Sequence, residues 1–398
     1  MRPTKTAADT VEISREMIRQ FRVWIALALL STLLVSCGDR ESQSPVFHAE
    51  SNPERLSEWH MLSVKDEKLQ LGARVTPYDL NTPLFSDYAH KLRTIWMPEG
   101  KAANYDANNA FEFPVGTVVT KTFYYQVPAG SSAKDGAVLR NVDNTSQLLN
   151  TGFDLTTVKL VETRILVHRA AGWVALPYVW NEEQTDALLK RTGDIKNFEL
   201  VSAENGKQPF SYVVPNTNQC AGCHATNSIT RKIQPIGLKA RHLNKVFQYK
   251  DGEDNQLVRW QVNGMLRGVP ESSRIPQNAL WNDANVALDK RARSYLDINC
   301  SHCHNRKGAA NTSGLLLEPD SPKDFTLGVC KLPIAAGTGT GDRKFGIVPG
   351  KPDQSIFTYR MASTNPGEMM PELGRSVSHD EGVALIRQWI AEMHGSCS

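Results

Sequence analysis

The sequence predicts a multi-domain α+β chain: an N-terminal β-sandwich-like domain, then a small helical segment, then an all-α domain at the C-terminus. Three observations carry this expectation. Residues 51–215 hold runs of β-branched and aromatic residues separated by turn formers. Residues 285–398 hold two stretches with apolar residues at helical spacing. The pattern Cys-x-x-Cys-His occurs twice, once in each of the last two parts. A chain of 398 residues is long enough for two or three domains, and 40% hydrophobic with 22% charged residues is ordinary globular composition. The formal net charge is +3, and the first 37 residues carry five Lys/Arg against three Asp/Glu. The remainder is therefore close to neutral, and no nucleic-acid partner is expected.

Val23 to Val35 is an almost unbroken apolar run followed by Ser36-Cys37. It is too short and wrongly flanked for a membrane-spanning helix and reads as the apolar core of a secretory signal. Leu34-Val35-Ser36-Cys37 resembles the lipobox of bacterial lipoproteins. That resemblance implies a lipoprotein signal peptide over 1–37, a lipid on Cys37, and a membrane partner reached through the anchor. A plain signal peptide cut near Cys37 is the alternative. Met17, with Arg19 and Arg22 after it, offers a more ordinary start than Met1. Two or three acyl chains anchor stably where one does not. Residues 38–50, rich in Ser, Gln and Pro, are expected to be a tether. Gly38 stands where an Asp would retain a lipoprotein at the inner membrane, which points to the outer membrane and a periplasm-facing position in the bacterial cell envelope.

Within the β-rich part, Thr117 to Tyr125 and Val158 to Val167 read as strands, the second turning through Ala170-Ala171-Gly172 into Trp173 to Trp180 as a hairpin. Phe210 to Val214 closes the region. A short helix is expected around Glu183 to Lys190. The next segment, 216–284, holds Cys220-Ala221-Gly222-Cys223-His224 and a helical stretch from Asp254 to Leu266. Residues 285–398 open with an amphipathic helix from Val286 to Ile298 that leads into Cys300-Ser301-His302-Cys303-His304. Ser378-x-x-Glu381 reads as a capping box before an apolar helical stretch that Gly395 can end.

The two Cys-x-x-Cys-His motifs carry the chemistry. Two thiols three residues apart share one side of a helical turn and reach the vinyl groups of a haem, while the next His takes an axial position on the iron. Two copies predict two covalently attached haems c, held by Cys220, Cys223 and His224 and by Cys300, Cys303 and His304. A zinc site is the alternative for four Cys in two pairs, but the His after each pair and the export signal favour haem. Met370, 66 residues after His304 and followed by Pro371, is expected as the second axial ligand of the second haem, with Met369 as the fallback. The other axial position of the first haem stays open among His242, Met265, His90, Met97 and His168. His302 is expected to face solvent. Gly337 to Gly341 is read as a loop, since it lacks the Lys-Ser/Thr of a phosphate loop. Of seven Cys, Cys330 and Cys397 are left over. In an oxidising compartment they are expected as a disulfide, with two buried free thiols as the alternative.

Residues 285–398 resemble the cytochrome c domain of bacterial secreted cytochromes. The resemblance rests on Tyr295-Leu296-x-x-Asn299 before the motif, Val348-Pro349-Gly350-Lys351-Pro352-x-x-Ser355, Met370-Pro371, and Leu385-Ile386-x-x-Trp389-Ile390. The wider chain resembles a family of diheme c-type cytochromes with an N-terminal β-rich region. Leu84 to Ala89, Trp180-Asn181-Glu182, Asn218-Gln219-Cys220, Pro235-Ile236-Gly237 and Leu243-Asn244 carry that likeness. It implies electron transfer between redox partner proteins. A haem oxidoreductase of peroxidase type, using an open first haem, is one alternative. An envelope binding module whose β-region docks a partner is another.

Overall fold

Alternation along four long strands builds the centre of the molecule. The computed structural model describes residues 43–140, 153–204, 206–334 and 336–398. In chain order the strands are β1 (Leu62–Lys65), β2 (Lys68–Leu71), β3 (Thr76–Tyr78), β4 (His90–Trp96), β5 (Ala103–Asn104), β6 (Val118–Gln126), β7 (Ala137–Leu139), β8 (Phe153–Asp154), β9 (Val158–Arg169), β10 (Gly172–Trp180), β11 (Ala187–Leu189), β12 (Asp194–Ser202), β13 (Gly206–Val214), β14 (Val246–Tyr249), β15 (Gly252–Asn255) and β16 (Leu266–Arg267). Six of them form an antiparallel sheet in the order β11-β10-β9-β6-β4-β3. β9 and β10 are a hairpin with Arg169 opposite Gly172.

Successive side chains point to opposite faces of a strand, and the two faces of this sheet bury different things. One face carries Leu92, Val118, Tyr124, Ile165, Leu176 and Tyr178, which pack with Trp59 and Leu69. Trp59 Nε1 donates to the Tyr178 hydroxyl at 2.8 Å. The other face is apolar at both ends. At one end Ile95 and Val119 pack with Leu243, Leu257 and Trp260. At the other Phe123 and Tyr125 pack with Phe198, Phe210 and Tyr212 of the β13-β12-β7 sheet. Between the ends runs a cross-strand row of cations, Arg93 opposite Lys121 and Lys121 opposite Arg164.

The helices are α1 (Thr217–His224), α2 (Ala240–Leu243), α3 (Gln256–Val262), α4 (Leu288–Leu296), α5 (Ile356–Ala362) and α6 (Asp380–Ala391). They correct the expected fold class. No all-α C-terminal domain is evident: the structure is β-rich, 27% strand against 20% helix, with short helices only. Ser44–Ser398 is one compact unit. The longest helix in its C-terminal part has 12 residues. Between the π-helical turn Asp297–Ser301 and α5 the chain runs through 3-10 turns and two isolated bridges, Val329 to Ile347 and Phe345 to Ser355. Backbone conformation is the reason. Gly314, Gly328, Gly337, Gly341 and Gly350 all sit at positive φ, which a helix does not accept.

Three smaller expectations also change. Residues 183–190 hold strand β11 rather than a helix. Ser378 does not cap the last helix: His379 occupies that position, and Glu381 instead accepts from the Tyr88 hydroxyl at 2.8 Å. Part of the stretch expected as a tether lies on the core, where Val46 N–H donates to Trp59 O at 3.0 Å and Phe47 packs with the first cluster. Cys37 and the apolar run before it lie outside the described residues. Among those described, no helix is long and apolar enough to cross a membrane.

Cys330 and Cys397, 67 positions apart in sequence, are joined in a disulfide with Cα atoms 5.2 Å apart. It ties the chain end after α6 to the loop before α5. The double variant Cys330→Ser/Cys397→Ser is expected to lose about 4 kcal/mol, the loop entropy that a cross-link of this span removes from the unfolded chain. Urea denaturation of both proteins without reductant measures it.

Candidate functional site

Asn216 starts α1. Its side chain accepts from Gln219 N–H at 2.9 Å, and the Gln219 side chain accepts from Asn216 N–H at 2.9 Å. This reciprocal cap holds a short helix whose own propensity is weak. Cys220 and Cys223 lie on one side of it, and His224 is its last residue. The His224 Nδ1 is 2.8 Å from the Gln234 carbonyl. A carbonyl only accepts, so Nδ1 carries the proton and the Nε2 lone pair is left over. Burial, followed by the charge of Lys121, holds this imidazole down to about 4, so it is neutral at pH 7.

The second motif hangs on the π-helical turn Asp297–Ser301 that continues α4. Such turns recur where a helix must present side chains irregularly. Here the turn is fastened by Asp297, which is fully buried. Arg241 donates to it from Nε at 2.6 Å and from Nη2 at 2.9 Å, Asn278 Nδ2 at 2.7 Å, and Ser301 Oγ at 2.9 Å. Burial opposes the charge on Asp297, but Arg241 and His242 outweigh it and hold the carboxyl below its ordinary range. His304 Nδ1 lies 3.2 Å from Ser313 Oγ, whose own proton goes to the Ala310 carbonyl at 2.6 Å. The hydroxyl therefore accepts from Nδ1, and Nε2 of His304 is again left over. Burial first, then His302 and Arg360, holds His304 down to about 4. Gly308 turns the chain after the motif where a Cβ would collide with the Cys303 carbonyl.

The fold brings the two motifs together although their equivalent residues stand 80 positions apart in sequence. Cys303 Sγ is 3.8 Å from the Gly222 carbonyl, and Ser228 N–H donates to Lys307 O at 2.6 Å. A hydrogen bond from Cys303, with His302 beside it, holds the Cys223 thiol below its ordinary range, and the same contact pushes Cys303 up. Burial pushes Cys300 up to about 12 and raises Cys220. All four thiols are free. Both motifs line one cavity of about 680 Å³, within the span of pockets that enclose a cofactor-sized ligand, roughly 300–1,000 Å³.

Met370 lines this cavity and Met369, which is buried, does not. Met370 is held at both ends of its peptide: its N–H donates to Arg360 O at 2.9 Å, and its carbonyl accepts from Arg375 Nη2 at 3.0 Å. None of the five side chains considered for the first motif lines the cavity. His242 faces Asp297 at 3.6 Å and Asn278. His90 tilts against Tyr124 on the opposite face of the sheet from Arg93. Met97 is buried in the core, and Met265 packs against the same cluster. His168 stacks on Trp173 at 4.7 Å and contacts Phe113 O.

His302 does not face solvent. It is 7% exposed, lines the cavity, and its Nδ1 has no hydrogen-bond partner among the described residues. Also missed from the sequence were Arg93, Lys121 and Arg164, which line the cavity from the sheet, and His379, which stacks on Phe85 at 4.4 Å. The available signal was a cation near the middle of each strand, Arg93 in β4, Lys121 in β6 and Arg164 in β9. Among the described residues no group of three or more His, Cys, Asp or Glu is arranged to hold a metal ion, so the four thiols are not gathered as a zinc set. No family model, curated protein or solved structure matches the chain.

Asp297→Asn is expected to cost about 3–5 kcal/mol of stability at pH 7, because it leaves Arg241 buried and unpaired. The carboxyl's folded pKa is below its unfolded value, so its contribution is complete above about pH 4 and fades as pH falls through the folded value. The gap between wild type and variant in urea denaturation is therefore full at pH 7 and narrows below about pH 4.

Proposed function

We propose that the protein is a c-type cytochrome carrying two covalently attached haems and passing electrons between redox partner proteins at the bacterial cell envelope. One observation carries the reading. Each Cys-x-x-Cys-His motif presents two free thiols and a neutral imidazole with Nδ1 engaged, and both motifs open on the same cavity. That donor set fits haem c: thiols for two thioether bonds, and Nε2 of His224 or His304 for iron, oriented by an outer hydrogen bond. Haem, when bound, supplies reversible one-electron chemistry. The chain supplies the rest. Gln234 and Ser313 fix the tautomers of the two imidazoles. Met370 offers a thioether from the cavity wall, and Leu80, Leu84, Ile236, Leu317 and Phe357 keep that wall apolar. Lipidation of Cys37 would hold the protein at the membrane, facing the periplasm, with Gly38 directing it to the outer membrane.

Two haems per chain are expected from a pyridine haemochrome assay on protein made in a host that attaches haem c. Met370→Ala is expected to lower the potential of one haem and abolish its Met–iron charge-transfer band, since a thioether ligand favours the reduced iron. An unchanged spectrum removes Met370 from the ligand set.

A second reading, a haem oxidoreductase with an open first haem, is favoured by the placement of His242, Met265, His90, Met97 and His168, all away from the cavity. It expects carbon monoxide to bind one of the two reduced haems at neutral pH. The electron-carrier reading expects both to refuse it.

A further inference from the structure

The cation row on the central sheet has a chemistry of its own. Arg93, Lys121 and Arg164 stand directly opposite one another on β4, β6 and β9, and all three line the cavity. Like charges opposite each other destabilise a sheet unless something neutralises them. Two of the three are neutralised. Arg93 donates to Asp79 at 2.7 Å, and Arg164 forms a two-pronged pair with the buried Glu162 at 2.8 and 2.5 Å. Both carboxylates have further obligations: Asp79 also holds Lys245 at 3.0 Å, and Glu162 accepts from the Tyr212 hydroxyl at 2.7 Å. Lys121 has no ion pair among the described residues. Its ammonium lies 5.3 Å from the centre of the Phe123 ring, which Arg164 and Lys91 also approach, at 4.3 and 5.7 Å. A single ring approached by three cations does not replace a counter-charge. Burial, with Arg164 and Arg93, pushes Lys121 down to about 7, and the nearby Glu162 and Cys223 offset this only in part.

We propose that Lys121, flanked by Arg93 and Arg164, is the receptor for an anionic oxygen group, a carboxylate or phosphate, that enters the cavity and completes the charge balance of the row. An ammonium is a strong point charge for such a group, and the two guanidinium groups, already fixed by their own carboxylates, give it a rigid positive surround. The group has two sources. It is a propionate of a bound haem, or it belongs to a diffusible small molecule. The first source rests on the haem reading, and the second does not.

The experiment uses the full chain, made in a host that attaches haem c, as wild type, Lys121→Met and Lys121→Arg. Melting temperature is read in sodium chloride and in inorganic phosphate at matched ionic strength, and haem potentials are read by spectroelectrochemistry. A diffusible anion predicts that phosphate raises the wild-type melting temperature above the chloride value. Lys121→Met then loses that increment and binds phosphate about tenfold or more weakly, the worth of one charged hydrogen bond. A propionate predicts that phosphate does nothing to wild type, that Lys121→Met melts lower with one haem potential shifted down, and that Lys121→Arg restores both. The proposal is overturned if phosphate is silent and Lys121→Met melts at or above wild type with unchanged potentials. That result would mean that Lys121 takes no anion in the finished protein and is held there as the neutral amine. The haem count on the same samples separates the two ideas. With no haem present, the phosphate comparison alone decides, and a silent result overturns the proposal. If Lys121→Met does not fold, Lys121→Gln, which removes the charge and keeps a polar side chain, takes its place in the same comparisons.

Discussion

The second face of the central sheet has to be covered, and it carries charge in its middle. Burying an unpaired cation costs several kcal/mol, so each one needs a partner or an opening. Ile95, Val119 and Leu166 at one end and Phe123 and Tyr125 at the other are covered by apolar packing. The row between them cannot be. The segments that fold over it, α1 with its two thiols, the π-helical turn with Cys300, and the loop through Met370 to Arg375, meet around a cavity instead of a closed core. The site is thus where this sheet cannot be packed shut.

Buried polar clasps bind the covering segments to the sheet. Asp297 grips Arg241 and Asn278 and so locks the turn before the second motif to the segment after the first. Asp87 accepts from Ser376 N–H at 2.6 Å and Val377 N–H at 2.9 Å, and burial pushes its carboxyl up to about 6. Beside it the Tyr88 hydroxyl meets Arg140 and Glu381 at the start of α6. These contacts join residues as far as 293 positions apart. They explain why residues 285–398 do not stand as a separate helical domain. Their helices bury one side against each other through Leu296, Leu385, Ile386 and Trp389, while the surrounding loops are fastened to the sheet.

Local chemistry was legible in the chain. The strands at 118–126, 158–169, 172–180 and 206–214 follow from β-branched and aromatic runs, since side-chain crowding is a near-neighbour property. The two motifs are likewise local. Helix extent was not legible. The amphipathic stretches before Cys300 and after His379 are real helices, yet they did not imply an all-α domain, because glycines at positive φ break the long connection between them. The Ser378 cap failed for a related reason. Glu381, its expected partner, is claimed by Tyr88 and Arg140 from far along the chain.

What the sequence by itself determined is therefore the set of reactive groups: two pairs of thiols, each with its imidazole, and a Met-Pro pair downstream. Spacing of three and four residues settles such groups, because one helical turn is enough to align them. Only the tertiary structure decided that both motifs share a cavity, that Met370 rather than Met369 lines it, that His302 is buried, and that Lys121 stands between two arginines. Those facts depend on strand register and on contacts across scores of residues. A one-residue slip in β6 would turn Lys121 to the opposite face, and nothing in the local pattern of that strand prevents it. Pairing with β4 and β9 does.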